Sequence, residues 1–571
     1  MYKCPSRCQP AEDVRGNCPL LQVAYILAGL AMMLNIRLSY SSAPYALIRF
    51  RLPENLFSVF VRRMASSLEL WCLPGFIIVD IMDLAVKLTI KGIGSTGDNS
   101  LKSKQLKFNS IILLSIVAQW LNFITYVILF FVYLAGGDHG RLTTFYWTIA
   151  VSGFVFGISN PLVYAVDYNH VPIYIVGENC FPALTSFMHY ITSLMFGNRR
   201  KYDSDFLIVG IDIIVAILIS FVAAIVWTVA YGFCTDADPM CEITYTTEGA
   251  NYTIKFKYKG TETEKTGKLT TNTLTGTQIG TTPTKWQYTV KDTTSNIRYT
   301  FTHTNGTINA GDAITEQPVT IQYGHVFAEG FSGTNANPYM IAPLLIVLVG
   351  MGIVYAIYPG IAPGMIVPFY LIDKIEMVLL IATIFPPVIV AILRRTAGWK
   401  DPRSPLCEWS PDNSGGDGSF WHIFDLVVPI MIILAYIFIY SLHYRDSSLS
   451  RSIVNQPKMS TALSITFYMC HEISLAVGFA GMIGNAAEWT VLAQMIGAFL
   501  MVFLALYSEG YIIEYKSHDP AHWPTEGMTK WNAFCYWCKR ASKITNHNLR
   551  SLFTTDLRRD LLLCIQKNEL I

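Results

Sequence analysis

Ionisable and amide side chains lie inside long apolar stretches of this chain, where water cannot easily reach them. A carboxylate at the depth of a bilayer costs about 2.5–3.5 kcal/mol on insertion scales, so it usually faces a bundle interior or a water-filled path. Residues of this kind can hydrogen-bond a polar solute that crosses a membrane. The candidates for lining such a path are Asn35, Glu178, Asp373, Glu376 and Glu472.

Asp373 is the acid that the sequence explains least easily without a function. It lies well inside an apolar stretch, and its neighbour Lys374 points in a different direction on a helix. We expect Asp373 to face partners on another helix, although an ion pair with Lys374 is an alternative. Asp80, Asp83 and Glu509 are more simply explained as hydrated residues near the membrane surface.

Proline and glycine cluster at Tyr358-Pro-Gly-Ile-Ala-Pro-Gly-Met365. Broken helices at membrane depth are tolerated where the backbone lines a cavity, as in many transporters. We therefore predict gating or hinge positions, although a tight hairpin explains the cluster equally well. Ser152–Gly157 and Asn160-Pro161 predict a similar break further upstream. The predicted hinge residues are Pro359, Gly360, Pro363 and Gly364.

The apolar stretches that carry these residues predict an all-α polytopic membrane protein. Apolar residues make up 52% of the chain and charged residues 14%, and the net charge of +2 comes from loops and the tail. We predict about 11 transmembrane helices, with ten or twelve allowed, as about six in 19–233 and five in 338–513. The expected spans are near 19–40, 68–90, 109–135, 143–166, 171–196, 205–233, 339–362, 364–393, 421–442, 460–483 and 487–513.

Residues 234–337 form a Thr-rich polar insert between the two apolar regions. Apolar and polar residues alternate in several segments, such as Tyr252–Tyr258, which predicts a β-rich soluble domain. A flexible Thr-rich loop is the alternative. Asn251 and Asn305 begin glycosylation sequons, and Cys234 and Cys241 are able to form a disulfide in an oxidising compartment.

The two ends of the chain are polar. Residues 1–18 lack the layout of a cleaved signal peptide, so we expect the first helix to stay in the mature protein. The tail, 514–571, contains an amphipathic helix near 544–565 that would lie on a membrane surface or, as we favour, against the protein. The distribution of Lys and Arg predicts a non-cytoplasmic N-terminus and insert and a cytoplasmic tail. It does not identify the membrane.

Several segments resemble the equilibrative nucleoside transporters. Gly29–Asn35 is similar to the first helix of that family, and Phe369 and Asp373 match its eighth-helix signature. The signature Asn, Gly and Arg are replaced by Tyr370, Glu376 and Met377. The overall plan also resembles the Tpr-related multi-pass membrane protein family of piroplasm parasites. The first resemblance implies eleven spans and facilitative transport; the second implies a class of protein without a mechanism.

These observations predict a facilitative transporter-like scaffold for a small polar solute. The alternative is a membrane-anchored surface protein that does not transport and whose β insert binds a protein partner. The expected partners are therefore the lipid bilayer, a small polar solute and a protein that binds the insert, and no nucleic acid. We expect no enzyme activity, because the chain has no HExxH, GxSxG or P-loop motif. We also expect no cofactor and no metal site.

Overall fold

The computed structural model describes most of the helical part of the chain and short segments of the insert. The described residues are 2–3, 19–32, 45–53, 57–93, 98–136, 141–198, 200–238, 243–248, 251–258, 261–268, 273–275, 277–281, 284–291, 298–303, 307–309, 313–314, 319–322, 326–331, 337–367, 371, 375, 378–379, 381–397, 401–411, 416–444, 447–519 and 522–566.

The described α-helices lie on both sides of the insert. In chain order they are α1 Pro19–Met32, α2 Phe57–Ile93, α3 Asp98–Lys107, α4 Leu113–Ala135, α5 Arg141–Val166, α6 Val171–Phe196, α7 Ser204–Thr228, α8 Ile341–Ile357, α9 Phe385–Ala397, α10 Val427–His443, α11 Ser448–Val454, α12 Pro457–Ala486, α13 Thr490–Lys516, α14 Lys530–Ser551 and α15 Leu557–Gln566.

Among the described residues, 6 helical runs are long and apolar enough to cross a membrane. The chain is therefore an integral membrane protein that crosses the bilayer several times. The prediction of about eleven spans in a six-plus-five arrangement is wrong. The runs are Lys102–Ala135, Arg141–Val166, Ser204–Gly232, Pro338–Ile357, Ser419–His443 and Pro457–Lys516.

The difference has identifiable causes in the sequence. The last two expected spans belong to one continuous run, Pro457–Lys516. Helix α1 has only 14 residues, and α9 has 13 and follows a turn, so neither crosses about 30 Å of hydrocarbon alone. Helices α2 and α6 are long, but α2 contains Asp80, Asp83 and Lys87, and α6 contains Glu178.

The insert also differs from the prediction. Its described segments are short strands in three separate sheets of six, four and two strands, and one of these sheets includes the N-terminal pair Tyr2–Lys3. The single β-rich domain that we predicted for 234–337 is therefore not found. The strands are β1 Tyr2–Lys3, β2 Cys234–Asp238, β3 Ile243–Glu248, β4 Asn251–Tyr258, β5 Thr261–Lys268, β6 Thr273–Thr275, β7 Thr277–Thr281, β8 Thr284–Lys291, β9 Arg298–His303, β10 Thr307–Asn309, β11 Ala313–Ile314 and β12 Val319–Gln322.

The helices before the insert pack mainly on one another, as do those after it. We call α1, α2 and α4–α7 the first helix group, and α8–α10, α12 and α13 the second. Small residues allow the closest approaches within the first group. A Cβ on Gly153 or Gly157 of α5 would collide with the backbone oxygen of Leu68 or Cys72 in α2. Such small-residue packing holds membrane helices together where burial of apolar surface provides no driving force.

Helix α5 is continuous from Arg141 to Val166, and the break predicted at 152–161 does not occur.

The tail and the insert leave the helices at opposite ends. At the start of α5, Tyr146 Oη donates to the backbone oxygen of Leu552 in the tail, at 2.6 Å. Beyond the end of α5, His170 stacks on Tyr25, whose hydroxyl lies 2.9 Å from that of Tyr231, just before the insert. We call these the tail end and the insert end. Which compartment each end faces stays a prediction.

Candidate functional site

Helix α5 brings an amide side chain to the boundary between the two helix groups. From Ser152 to Val166 nearly every residue of α5 is buried, as expected of a helix that is apolar or small all round. Asn160 Oδ1 accepts hydrogen bonds from Tyr174 Oη at 3.0 Å and from Gln494 Nε2 at 3.2 Å. Because Gln494 belongs to α13, the second bond joins the first group to the second.

A second amide makes the same connection deeper along α6. Asn179 Nδ2 donates to Glu472 Oε2 of α12 at 2.7 Å and to the backbone oxygen of Thr383 at 3.3 Å. Asn179 and Glu472 are both buried. A hydrogen bond to a carboxylate is stronger than a neutral one and reduces the cost of burying that group.

Glu178, next to this amide, brings a second carboxyl group to the same place. It is 9% exposed and close enough to Glu472 for the two carboxyl groups to interact electrostatically. Two ionised carboxylates at short range in a medium of low dielectric repel, so this arrangement is costly whenever both groups are ionised. We define the interface cluster as Asn160, Tyr174, Glu178, Asn179, Glu472 and Gln494.

Close packing of α1 against α6 positions the first-group members of the cluster. A Cβ on Gly29 would lie 2.7 Å from the backbone nitrogen of Glu178, and one on Gly177 would collide with the backbone oxygen of Ile26. Because two backbones meet here, Tyr174 and Glu178 are held on rigid helices rather than on a loop.

The interface cluster also has unused hydrogen-bonding capacity. Gln494 Oε1 is buried and has no hydrogen-bond partner among the described residues. An unsatisfied polar atom inside a protein costs free energy, and a donor from another molecule at this oxygen would remove that cost.

A further set of polar residues joins the groups at the insert end. His170 Nδ1 lies 3.1 Å from Asp167 Oδ2, and both side chains are buried beside Tyr25. Arg394 of α9, itself buried, interacts electrostatically with Asp167. This arrangement places a positive charge of the second group beside a negative charge of the first.

The tail end has its own polar contact between the groups. Ser66 Oγ of α2 donates to Glu509 Oε2 of α13 at 3.2 Å, and Asn548 Nδ2 of the tail donates to Glu509 Oε1 at 3.2 Å. Glu69 interacts electrostatically with the same carboxylate. Polar contacts therefore follow the group boundary from one end of the helices to the other.

The structure brings together two of the five predicted path residues, Glu178 and Glu472. Asn35, Asp373 and Glu376 lie outside the described residues. Sequence reasoning missed Asn179, which bonds to Glu472, and Gln494, which bonds to Asn160. The available signal was the same as for the acids, an amide within an apolar stretch, but it does not reveal which helix faces which.

The predicted hinge residues form a compact turn at the tail end of α8. Gly364 N donates to Pro359 O at 2.9 Å, and Pro363 is buried within the turn. A Cβ on Gly360 would lie 2.8 Å from Ile512 Cδ1 of α13. The turn thus packs against the second helix group and lies away from the interface cluster. Its role as a hinge stays a prediction.

The predicted modification sites lie in or near the insert. Asn251 begins β4 and Cys234 begins β2, whereas Asn305 and Cys241 lie outside the described residues. Within the described part of the chain, no group of three or more His, Cys, Asp or Glu side chains is arranged to hold a metal ion.

Comparisons with known proteins do not assign this chain to a family. No family model matches the sequence, and no curated protein matches it. Among solved structures, a bacterial homologue of the iron transporter ferroportin in its outward-facing state matches with a TM-score of 0.34 and 10% identity, over 87% of this chain and 100% of that one. The same homologue soaked with iron gives the same values. A TM-score this low does not establish a shared fold.

Proposed function

We propose that the protein is a membrane carrier that moves a small polar solute along the boundary between its two helix groups. The observation that carries this proposal is the pair of hydrogen bonds Asn179–Glu472 and Gln494–Asn160, which join the groups inside a membrane protein. Buried polar side chains in a membrane protein are costly and usually mark a path for ions or solutes.

The interface cluster has the chemistry that reversible opening requires. A neutral hydrogen bond contributes about 0.5–1.5 kcal/mol net and one to a charged group about 1.5–3 kcal/mol, so the contacts between the groups are weak enough to break when a solute replaces them. A solute that hydrogen-bonds to Glu472 and Gln494 would keep these groups satisfied while the boundary opens towards one end. Alternating access of this kind needs no ATP-binding domain.

The atoms of the cluster also indicate the class of solute. Carboxyl and amide oxygens of the cluster outnumber its donor groups, and Gln494 Oε1 has no partner among the described residues. A solute rich in hydroxyl or amino donors, without negative charge, complements such a surface. Nucleosides belong to this class and are also the solutes that the sequence resemblance implies, so they are the first to test.

Uptake into proteoliposomes tests the proposal. The matched variants are Gln494→Leu and Gln119→Leu, because both glutamines are 2% exposed and Gln119 of α4 lies within the first group. We expect Gln494→Leu to lower uptake about tenfold or more, which corresponds to the loss of one buried hydrogen bond, and Gln119→Leu to keep it.

Three panels of labelled solutes complete the test: nucleosides, neutral sugars and amines. Uptake no faster than in protein-free liposomes for every panel would contradict the proposal. Equal loss of uptake in the two variants would show that the glutamines act only through folding. The alternative of a surface protein that binds through a β-rich domain is not proposed, because the described segments of the insert are divided among three separate sheets.

A further inference from the structure

The chain continues beyond the last membrane-crossing run with two helices that pack on different helix groups. Helix α14 lies along α13 of the second group, whereas α15 lies against α5 of the first. Only residues 552–556 connect the two. Stretched fully, five residues span at most about 18 Å, so the tail joins the groups by a short connection.

Helix α14 is attached to the second group by close backbone contact and by polar bonds. A Cβ on Gly510 of α13 would lie 2.5 Å from the backbone oxygen of Ala541. Thr545 Oγ1 donates to the backbone oxygen of Leu506 at 3.1 Å, and Arg540 Nε donates to Glu514 Oε1 at 2.7 Å. These contacts extend over more than one turn of α14, which makes this the firmer of the two attachments.

An aromatic cluster strengthens the attachment of α14. The ring of Trp537, which is 9% exposed, lies 5.0 Å from that of His443 and 5.8 Å from that of Tyr511. Trp523, in the segment before α14, lies 4.9 Å from Tyr515. Aromatic pairs at these distances add about 0.5–1.5 kcal/mol beyond the area that they bury.

Helix α15 and the connection before it are attached to the first group. Tyr146 Oη and Trp147 Nε1 of α5 donate to the backbone oxygens of Leu552 and Thr554, at 2.6 Å and 3.1 Å. Arg558 Nη1 donates to the backbone oxygen of Phe50 at 3.1 Å. Leu561 is fully buried in the apolar core of the first group.

Between the two attachments the tail meets the group boundary itself. Asn548 bonds to Glu509, which also accepts from Ser66 of the first group. The tail therefore covers the boundary at the tail end, opposite to the insert. An opening of this end would separate Ser66 from Glu509 and would also pull α14 away from α15.

From these contacts we propose that residues 530–566 form an intramolecular strap that holds the tail end of the group boundary closed and must release before that end opens. The strap is a property of this conformation whether or not a solute moves. Its effect on transport rests on the function proposed above. Release of α15 is the easier step, because α14 has the more extensive attachment.

Hydrogen exchange of the full-length protein in lipid nanodiscs tests the strap without any solute. The test variant is Arg558→Ala with Leu561→Ser, which removes one polar and one apolar anchor of α15. The matched control is Arg559→Ala with Leu562→Ser, because Arg559 pairs only with its neighbour Asp560 among the contacts described and Leu562 is 36% exposed. We expect exchange in peptides that contain Ser66 and Glu509 to become about tenfold faster in the test variant and to stay unchanged in the control.

A second variant avoids any effect on folding. A protease site inserted between Ser551 and Leu552, ahead of the residues that bind α5, is cut after reconstitution, which severs the connection in the folded protein. The same acceleration of exchange is expected on cleavage. Exchange that stays unchanged in both variants, although peptides of α15 itself exchange faster, would overturn the strap.

Uptake by the cleaved protein then tests the consequence for transport. We expect the rate to rise about threefold or more when release of the strap limits opening of the tail end. Faster exchange with an unchanged rate would overturn the regulatory role. If no solute is transported even before cleavage, the proposed function fails, while the exchange data still decide whether the strap exists.

Discussion

Asn179 Nδ2 and Glu472 Oε2 lie 2.7 Å apart although 293 positions separate the two residues in the sequence. Both residues are buried, and each belongs to a different helix group. The bond is therefore a direct contact between the two helix groups. It is also the contact whose removal has the clearest expected effect.

Replacing Asn179 by Leu removes the donor and leaves the Glu472 carboxyl group without this partner. We expect the free energy of unfolding to fall by about 1–3 kcal/mol, because a buried acceptor loses its hydrogen bond. Denaturant-induced unfolding in detergent measures the change. The double variant Asn179→Leu/Glu472→Leu should lose less than the sum of the single variants, since both partners are then apolar. If the loss of stability in the double variant equals the sum of the losses in the single variants, the two side chains do not interact in the folded protein.

Adding a methyl group at Gly153 should separate α2 from α5. The new Cβ would collide with the backbone oxygen of Leu68, which cannot move without the helix. We expect Gly153→Ala to lower stability by about 1–3 kcal/mol, as for other overpacked interiors. Gly92→Ala is the control, because a Cβ there meets nothing within 4 Å. Thermal unfolding of the two purified variants side by side checks the difference, and equal midpoints would contradict the close contact.

Removing only one partner of the Asp83–Lys87 ion pair in α2 should lower the free energy of unfolding strongly. The atoms lie 2.5 Å apart with both side chains mostly buried, and Lys87 also donates to the backbone oxygen of Glu488 at 3.2 Å. Asp83→Leu removes the closest counter-charge of a mostly buried Lys87 and leaves it only the more distant Asp80, so a loss of about 1–4 kcal/mol is expected. Asp83→Leu/Lys87→Leu should recover much of the loss.

An exposed ion pair provides the comparison for this experiment. Arg403 pairs with Asp401 and has a side chain that is 82% exposed, so Arg403→Gln should change stability by less than about 1 kcal/mol. All three variants are compared by chemical denaturation. A loss for Asp83→Leu no larger than that for Arg403→Gln would mean that water reaches the first pair freely.

Two tryptophans of α14 should differ sharply in their effect on the tail. Trp537 is 9% exposed among aromatic rings, whereas Trp531 is 70% exposed. We expect Trp537→Ala to make cleavage of the tail by trypsin about tenfold faster, because burial of that ring holds α14 in place. Trp531→Ala should leave the rate near that of the parent protein. The cleavage rates are measured by mass spectrometry. Equal rates for the two variants would contradict the packing of α14 that the structure shows.

The sequence was sufficient for the membrane class and for several of the helices. The stretches 109–135, 143–166 and 205–233 correspond closely to α4, α5 and α7, because a long apolar run has few other ways to fold. The number of membrane-crossing runs was not predicted correctly. The charges in α2 keep that helix out of the set of membrane-crossing runs, and the turn before α9 leaves a helix too short to cross. Helices α12 and α13, which we predicted as two spans, form one run.

The candidate site was only partly predictable, for a physical reason. Burial of Glu178 and Glu472 follows from their apolar surroundings, which the sequence shows. The bonds of Asn179 to Glu472 and of Gln494 to Asn160 depend on which faces of α5, α6, α12 and α13 meet, and close packing at glycines such as Gly177 helps to set those faces. Alternation of polar and apolar residues in the insert predicted strands but gave no information on how they divide among sheets.

The glycine contacts between α2 and α5 have a mechanical consequence. Where two backbones touch, as at Gly75 and Gly157, neither helix can bend or slide alone, so the pair behaves as one stiff rod. This rod carries Lys87 at the insert end and Ser66 at the tail end, 3.2 Å from their respective contacts in Glu488 and Glu509. If the α2–α5 pair tilts relative to the second helix group, the contact of Lys87 with Glu488 shortens while that of Ser66 with Glu509 lengthens, or the reverse.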